Sequence, residues 1–146
     1  MGCARHTLLD HARALQRLMP SALARGVEIV VGGPYSSGVL VGGTHFEYQP
    51  ASPEILARVA RLQALGDRHG VPIKAAGLQF ALAHPAVAAV IPGASQPERL
   101  AEDQAALETA IPSAFWQELR EQGLVADDAP LPIDTRGVTD SGVSKT

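Results

Sequence analysis

Apolar and polar positions along the chain alternate between two periods, and the changes of period mark out the elements. From Ala12 to Arg25 the apolar residues Leu15, Leu18, Met19, Ala22 and Leu23 recur at i, i+3, i+4, i+7 and i+8, which predicts a helix with one buried face, and Gly26 stands where a helix C-terminal glycine belongs. Val27 to Val31 is a β-branched run interrupted by Glu28 and reads as a buried parallel strand. It runs into Gly32-Gly33-Pro34-Tyr35-Ser36-Ser37-Gly38, a loop of turn residues, and then into a connection, Val39 to Pro50, that holds Phe46 and Tyr48. Ser52 and Pro53 open a second helix as N-cap and first helical residue; Ile55, Val59 and Leu62 line its inner face, and it should end near His69-Gly70. A further helix starts at Pro72, passes through Ala75, Leu78, Gln79 and Leu82, and stops at His84-Pro85. Val87 to Ile91 reads as another buried strand. Ile111-Pro112-Ser113 begins a last helix with Phe115, Trp116 and Leu119 inward, closed by Gly123. Residues 3–9 read as the end of a strand, and residues 126–146, poor in apolar side chains, as a disordered tail.

The order is thus partial strand, helix, strand, loop, two helices, strand, two helices, tail. Strands alternating with helices imply a parallel sheet under helical cover. Two full strands and one partial strand leave two unpaired edges, so the chain reads as part of a sheet or barrel. The densest chemistry lies between Val87 and Asp103. A turn at Pro92-Gly93-Ala94 leads into Ser95 and Glu98, which stand in the S-x-x-E relation of a capping box, with Pro97 in the first helical turn. A strand feeding a capped helix points backbone N–H groups outward at the strand's carboxyl end, where a phosphate-bearing ligand would sit.

Composition narrows the field. The chain has 146 residues, enough for one domain with a core, and 46% of them are hydrophobic but only 4% aromatic, so Ala, Leu and Val must fill the interior. A net charge of −3 offers no basic nucleic-acid surface. No apolar run reaches bilayer-spanning length, and no leader segment is visible. Cys3 is the single cysteine, which excludes an internal disulfide and favours a reducing cytoplasm. His6 breaks the myristoylation pattern that Met1-Gly2-Cys3 would otherwise begin. His6, His11, His45, His69 and His84 have no ligand spacing, so no metal site is expected. His84 before Pro85 reads as a helix end rather than as a catalytic group, and Trp116 as core.

Four segments in order carry a resemblance: Arg5-His-Thr-Leu-Leu-Asp10; Arg25-Gly-Val-Glu-Ile-Val-Val-Gly-Gly-Pro-Tyr-Ser-Ser-Gly-Val-Leu40; Arg68-His-Gly-Val-Pro72 with Ala76-Gly-Leu-Gln-Phe-Ala-Leu-Ala-His-Pro85; and Ile91-Pro-Gly-Ala-Ser-Gln-Pro-Glu-Arg99. Over residues 3–125 the chain resembles the C-terminal part of an aldo/keto reductase, most of all the branch of aldose, fucose and pyridoxal dehydrogenases. The resemblance implies an α/β fold, the C-terminal portion of a TIM (β/α)8 barrel: about strands 6–8 with their helices, an incomplete barrel in residues 1–125. It also implies NAD(P)-dependent hydride transfer on a carbonyl, sugar or alcohol substrate. The family's catalytic Asp, Tyr, Lys and His belong to the absent strands, so no catalytic residue is carried over and the chain alone is expected to be inactive.

The cofactor half of the family is what the resemblance retains. Gly33, Pro34, Tyr35, Ser36 and Ser37 match the loop over the pyrophosphate. Gly93, Ala94, Ser95 and Gln96 match the turn at the adenosine ribose. Arg99 matches the arginine at the adenine or 2′-phosphate, and Glu102 and Asp103 the pair at the adenine edge, where relatives usually carry Glu-Asn. Two departures stand out. Gly32 or Gly33 replaces a tyrosine that stacks on the nicotinamide, unless Tyr35 substitutes, and Gly93 replaces a lysine common in NADPH-dependent members. A glycine cannot pair with a 2′-phosphate, so NAD, or both NAD and NADP, is the expected cofactor. Read without the family, Arg99 and Glu102 are an ordinary i, i+3 surface pair. The expected partners are the nicotinamide cofactor, a small carbonyl or sugar substrate in a full-length relative, and the chain itself through open sheet edges; nucleic acid and membrane are not expected. The competing reading is a non-catalytic partial-barrel remnant that binds nucleotide weakly or pairs with another chain. A start inside a matching motif also fits a truncated reading frame.

Overall fold

Two long helices form where the sequence is most explicit. The computed structural model describes residues 6–35, 40, 45–46, 49–91 and 97–133. Helix α2, Pro53–His69, begins with the Ser52 hydroxyl accepting the Ile55 N–H at 3.3 Å and ends at Gly70 with φ of 65°. Helix α3, Ile73–Ala83, is apolar nearly all round: Ala75, Ala76, Leu78, Phe80 and Ala81 are fully buried. It stops at His84, whose ring Nδ1 accepts the Ala86 N–H at 3.1 Å, so the histidine closes the helix end as its place before Pro85 suggested. Helix α5, Ser113–Glu121, turns Phe115, Trp116 and Leu119 inward, each with no exposure, and Gly123 follows at φ of 66°.

The strands flank these helices in sequence. Strand β1, Ile29–Gly32, pairs in parallel with strand β4, Val87–Ile91, placing Val31 beside Val90 and Gly32 beside Ile91. The connection between them contains α2 and α3, as a parallel pair requires. Two short strands, β2 (His45–Phe46) and β3 (Gln49–Pro50), form a separate antiparallel pair. Helix α4, Pro97–Glu108, follows β4 and packs on α3.

Two apolar clusters hold the body together. The larger gathers Leu62, Leu65, Leu78, Phe80, Phe115, Trp116 and Leu119 from α2, α3 and α5. The smaller joins Met19, Ala22, Ile29, Val31, Ala81 and Ala86 beneath the parallel pair. Close approach between α2 and α3 depends on Gly66, where a Cβ would lie 2.6 Å from the Val71 carbonyl oxygen.

Four sequence expectations are corrected. The first helix is not one regular face. Residues Ala14–Leu18 form a π-turn, in which the Met19 N–H bonds the Ala14 carbonyl five residues back, before helix α1, Met19–Arg25. Pro20 has no N–H to continue the α-helical ladder, and the turn widens just before it. Ala14, Leu15, Met19 and Ala22 are buried as a result, while Leu18 and Leu23 are 41% and 50% exposed. Second, no strand forms over residues 6–10. Thr7 and Asp10 close a turn on each other, with the Asp10 N–H bonded to the Thr7 hydroxyl at 3.1 Å and the Thr7 N–H to the Asp10 carbonyl at 3.0 Å; residues 1–5 lie outside the described residues. Third, β4 is not buried on both faces. Ile91 is 59% exposed, because no described strand or helix covers that side of the pair. Fourth, the tail does not begin at residue 126. Ala129 and Leu131 are fully buried in the larger cluster, and the Arg120 guanidinium donates to the Ala129 carbonyl at 3.0 Å; residues 134–146 lie outside the described residues. A few well-spaced apolar side chains suffice to dock a segment whose composition is otherwise that of a tail.

Three histidines scattered in sequence meet inside the fold. The His6 ring stacks on Phe80 at 4.9 Å and meets His84 and His11 edge-on at 5.6 and 6.3 Å. His11 ties the N-terminal turn to the C-terminal segment: its Nδ1 donates to the Thr7 carbonyl at 3.0 Å and its Nε2 accepts the Ala126 N–H at 2.9 Å. Both ring nitrogens of His6 are buried without a partner among the described residues. Burial, and then the neighbouring His84 and His11, push the His6 pKa down to about 3, and burial lowers His11 and His84 as well.

Because these rings fold in their neutral form, the unfolded chain binds the extra protons. Stability is therefore full above the ordinary histidine pKa and falls as pH drops through it toward the folded-state value. Urea denaturation should show a loss of about 2 kcal/mol from His6 alone between pH 7.5 and pH 5. His6→Phe, which keeps a ring on Phe80, should flatten that slope; an unchanged slope would show that His6 is not held neutral.

Candidate functional site

Strand β1 ends at Gly32, and Gly33 then takes φ of 60°, a left-handed conformation that glycine adopts without steric cost. The Gly33 N–H donates to the Ile91 carbonyl at 3.2 Å, so the loop after β1 leaves directly beside the carboxyl end of β4. Pro34 is buried and Tyr35 half-buried. The loop lies close over α3 because residue 77 is glycine: a Cβ there would sit 2.8 Å from the Leu40 side chain and 4.0 Å from the Tyr35 ring.

Helix α4 meets this loop through one buried carboxylate. Asp103 is 6% exposed, and its Oδ1 accepts the Tyr35 hydroxyl at 2.6 Å and the Lys74 ammonium at 2.9 Å. The same Lys74 Nζ reaches Glu102 Oε2 at 3.1 Å and stands 5.5 Å from the centre of the Tyr35 ring. Burial and then the Asp103 hydrogen bond push the Tyr35 phenol above its ordinary range. Burial pulls Lys74 down, but its bonds to Asp103 and Glu102 outweigh this and raise it, so it is charged throughout the neutral range.

Residues expected at one site from two distant segments thus come together in part. Tyr35 and Asp103 are bonded, and Gly33 and Pro34 lie at the same end of the parallel pair. Arg99 lies in the first turn of α4, exposed, and pairs with none of the described residues; Glu102 turns to Lys74 instead, so the ordinary i, i+3 pair does not form. Ser36, Ser37, Gly93, Ala94, Ser95 and Gln96, and with Ser95 the capping box, lie outside the described residues. Lys74 was missed by sequence reasoning. It is the one charged residue of a helix whose other strongly polar side chain is Gln79, which was a signal, but nothing local says which neighbour it serves.

Other polar groups serve the scaffold. The side-chain amide of Gln79 donates to the carbonyls of Ala106 at 3.1 Å and Thr109 at 2.7 Å, satisfying the C-terminal end of α4. Arg68 and His69 of α2 pair with Glu118 of α5, His69 at 2.6 Å, and these contacts, His69 first, hold the Glu118 carboxyl below its usual range. A cleft of about 250 Å³ lies elsewhere, lined by Leu9, His11, Arg58 and Val125, and there the Arg58 guanidinium is occupied by the carbonyls of Leu9 and Leu124. Among the described residues no group of three or more His, Cys, Asp or Glu could hold a metal ion, and no helix is long and apolar enough to cross a membrane.

A parallel pair with helical cover defines an α/β protein, and the Tyr35–Asp103–Lys74 contacts tie the loop after β1 to the helix after β4. The chain belongs to the aldo/keto reductase family: the family's model matches residues 4–123. It is 36% identical over 126 residues to a pyridoxal 4-dehydrogenase of Microbacterium luteolum, covering 84% of this chain and 36% of that protein. It is 30% identical over 130 residues to a D-threo-aldose 1-dehydrogenase of a Pseudomonas species, covering 86% of this chain and 39% of that one. The chain therefore spans less than half the length of these relatives. Among solved structures, a thermostable aldo-keto reductase in complex with the inhibitor epalrestat superimposes with a TM-score of 0.54 at 22% identity, over 80% of this chain and 37% of its own. Family and structural likeness together place the chain in the α/β barrel class.

Asp103 is the hub of the site, so its loss should be felt in stability. Asp103→Ala removes two charge-assisted bonds and leaves the Tyr35 hydroxyl unpaired, which should cost about 2–3 kcal/mol in urea denaturation at pH 7. A change under about 0.5 kcal/mol would mean that the contact does not persist in solution.

Proposed function

We propose that this chain is the cofactor-binding, C-terminal portion of an NAD(P)-dependent aldo/keto oxidoreductase, an incomplete barrel of about strands 6–8. The reaction of the whole enzyme is hydride transfer between the nicotinamide and a carbonyl, sugar or alcohol carbon. The observation that supports this reading is the Tyr35–Asp103 hydrogen bond of 2.6 Å, which joins two segments 68 residues apart in sequence at the carboxyl end of the parallel pair. The residues present fit a dinucleotide: Gly33 has open space where a Cβ would be, and Arg99 is an exposed cation without a described carboxylate partner. Gly33, Pro34, Tyr35, Arg99, Glu102 and Asp103 are the described binding residues of this proposal, with Ser36, Ser37, Gly93, Ala94, Ser95 and Gln96 completing it. Tyr35 is committed to Asp103 and so belongs to the adenosine side rather than stacking on the nicotinamide. The single cysteine supports a reducing, cytoplasmic compartment in this reading.

Tyr35, Lys74 and Asp103 are of the same three types as members of the family's catalytic group, but their arrangement argues against that role. Tyr35 donates to a carboxylate, and its phenol is pushed up, whereas an acid/base for hydride transfer needs a pKa near the working pH. The catalytic residues are supplied from outside this chain.

NAD should rank with or above NADP, since Lys74 is already occupied by two carboxylates and Arg99 remains as the described cation for a 2′-phosphate. Calorimetry with the purified chain should show binding of NAD, with NADP equal to it within about threefold or weaker, and no turnover of aldehydes or alcohols. Failure of a folded chain to bind either dinucleotide would overturn the reading. A larger preference for NADP would overturn the NAD assignment alone, and turnover would overturn the assignment of catalysis elsewhere.

The exposed side of β4 favours a second reading, association through uncovered apolar surface. Ile91 and Leu100 are 59% and 60% exposed. Size-exclusion chromatography should show self-association at micromolar concentration, while a stable monomer would remove this reading.

A further inference from the structure

Helix α4 carries a ready-made arrangement that the fold does not use. Arg99 has carboxylates at both i+3 and i+4, Glu102 and Asp103, the two spacings at which helix side chains meet. Left to itself, the helix would pair Arg99 with one of them. Lys74 of α3 takes both instead, Asp103 Oδ1 at 2.9 Å and Glu102 Oε2 at 3.1 Å. Asp103 is also held by the Tyr35 hydroxyl, so Lys74 is what restrains the more exposed carboxylate, Glu102, which is 65% exposed. Arg99 is left in the first turn of α4, at the positive end of the helix dipole, where a cation is disfavoured unless an anion is present.

We propose that Lys74 is a positioning residue for Arg99: by capturing Glu102 and Asp103 it leaves the Arg99 guanidinium free to pair with a phosphate of a bound nucleotide. The proposal rests on the nucleotide reading above and adds to it a residue that touches no ligand. Lys74, Glu102 and Asp103 carry a net charge of −1 as a group, so the ammonium itself has little attraction left for an anion. Its effect on binding runs through Glu102. Without Lys74, Glu102 is released toward Arg99 one turn away and competes with the ligand's phosphate for the same guanidinium. The 2′-phosphate of NADP, the feature that distinguishes it from NAD, is the group this competition would penalise.

The test is the ratio of NADP to NAD dissociation constants, measured by calorimetry on the full chain at constant salt. Lys74→Met should raise that ratio about tenfold, the loss of one charge-assisted contact. Lys74→Met with Glu102→Gln, which removes the competing charge, should return it to within about threefold of the starting value. Arg99→Ala should raise the ratio as Lys74→Met does, and adding Lys74→Met to it should move the ratio no further; Arg99 is exposed and makes no hydrogen bond or ion pair with the described residues, so the single Arg99→Ala variant remains readable if Lys74→Met folds poorly, and an unchanged ratio there overturns the proposal as well. An unchanged ratio in Lys74→Met, or a double variant that stays at the Lys74→Met value, overturns the positioning role while leaving nucleotide binding intact. Absence of binding by the unaltered chain overturns the nucleotide reading and this proposal with it.

Discussion

The arrangement depends on how α3 spends its two strongly polar side chains. This helix is apolar nearly all round and is buried between the other elements, so Lys74 and Gln79 must find partners across its surface. Both find them on or just beyond α4: Lys74 at Glu102 and Asp103, Gln79 at the carbonyls of Ala106 and Thr109. A buried polar group without a partner costs more than a satisfied one contributes. The contacts therefore fix where α4 lies along α3, and they fix which side chains α4 has left for a ligand.

The loop after β1 is held from the same helix. Gly77 lets Leu40 and Tyr35 approach α3, and Tyr35 then reaches Asp103. One helix thus carries the loop on one side and α4 on the other. The histidine group at the far end of α3 is built differently. His6 and His11 pack on Phe80, and His84 closes the helix, all in neutral form. Charge is concentrated at the Lys74 end of α3, where the ammonium is matched by two carboxylates, and excluded at the Phe80 end, which makes that end sensitive to acid.

Much of this was legible in the residues. Ser52-Pro53, the glycines at 70 and 123, and the apolar spacing of α2 and α5 are local signals whose physics is contained within one or two turns, and the structure follows them. The parallel pairing of the two runs at 27–31 and 87–91 was likewise readable from alternation with helices. The π-turn before Pro20 was not, because the apolar pattern over 12–25 matches a regular helix and the missing N–H of one proline shifts it. The docking of residues 126–133 was hidden by a polar composition, since Ala129 and Leu131 acquire their meaning from a core built by distant helices.

The candidate site divides in the same way. Its membership was largely proposed from four ordered segments, and the family match over residues 4–123 supports the resemblance on which that proposal stood. Its electrostatics was decided by tertiary structure. Sequence by itself determines helix caps, strand runs and the spacing of Arg99, Glu102 and Asp103, because those depend on bonds within a turn or between near neighbours. Only the folded chain decides that Glu102 pairs with a lysine 28 residues away rather than with the arginine three residues away. The energies of such surface pairs are close, and the position of one helix on another selects between them.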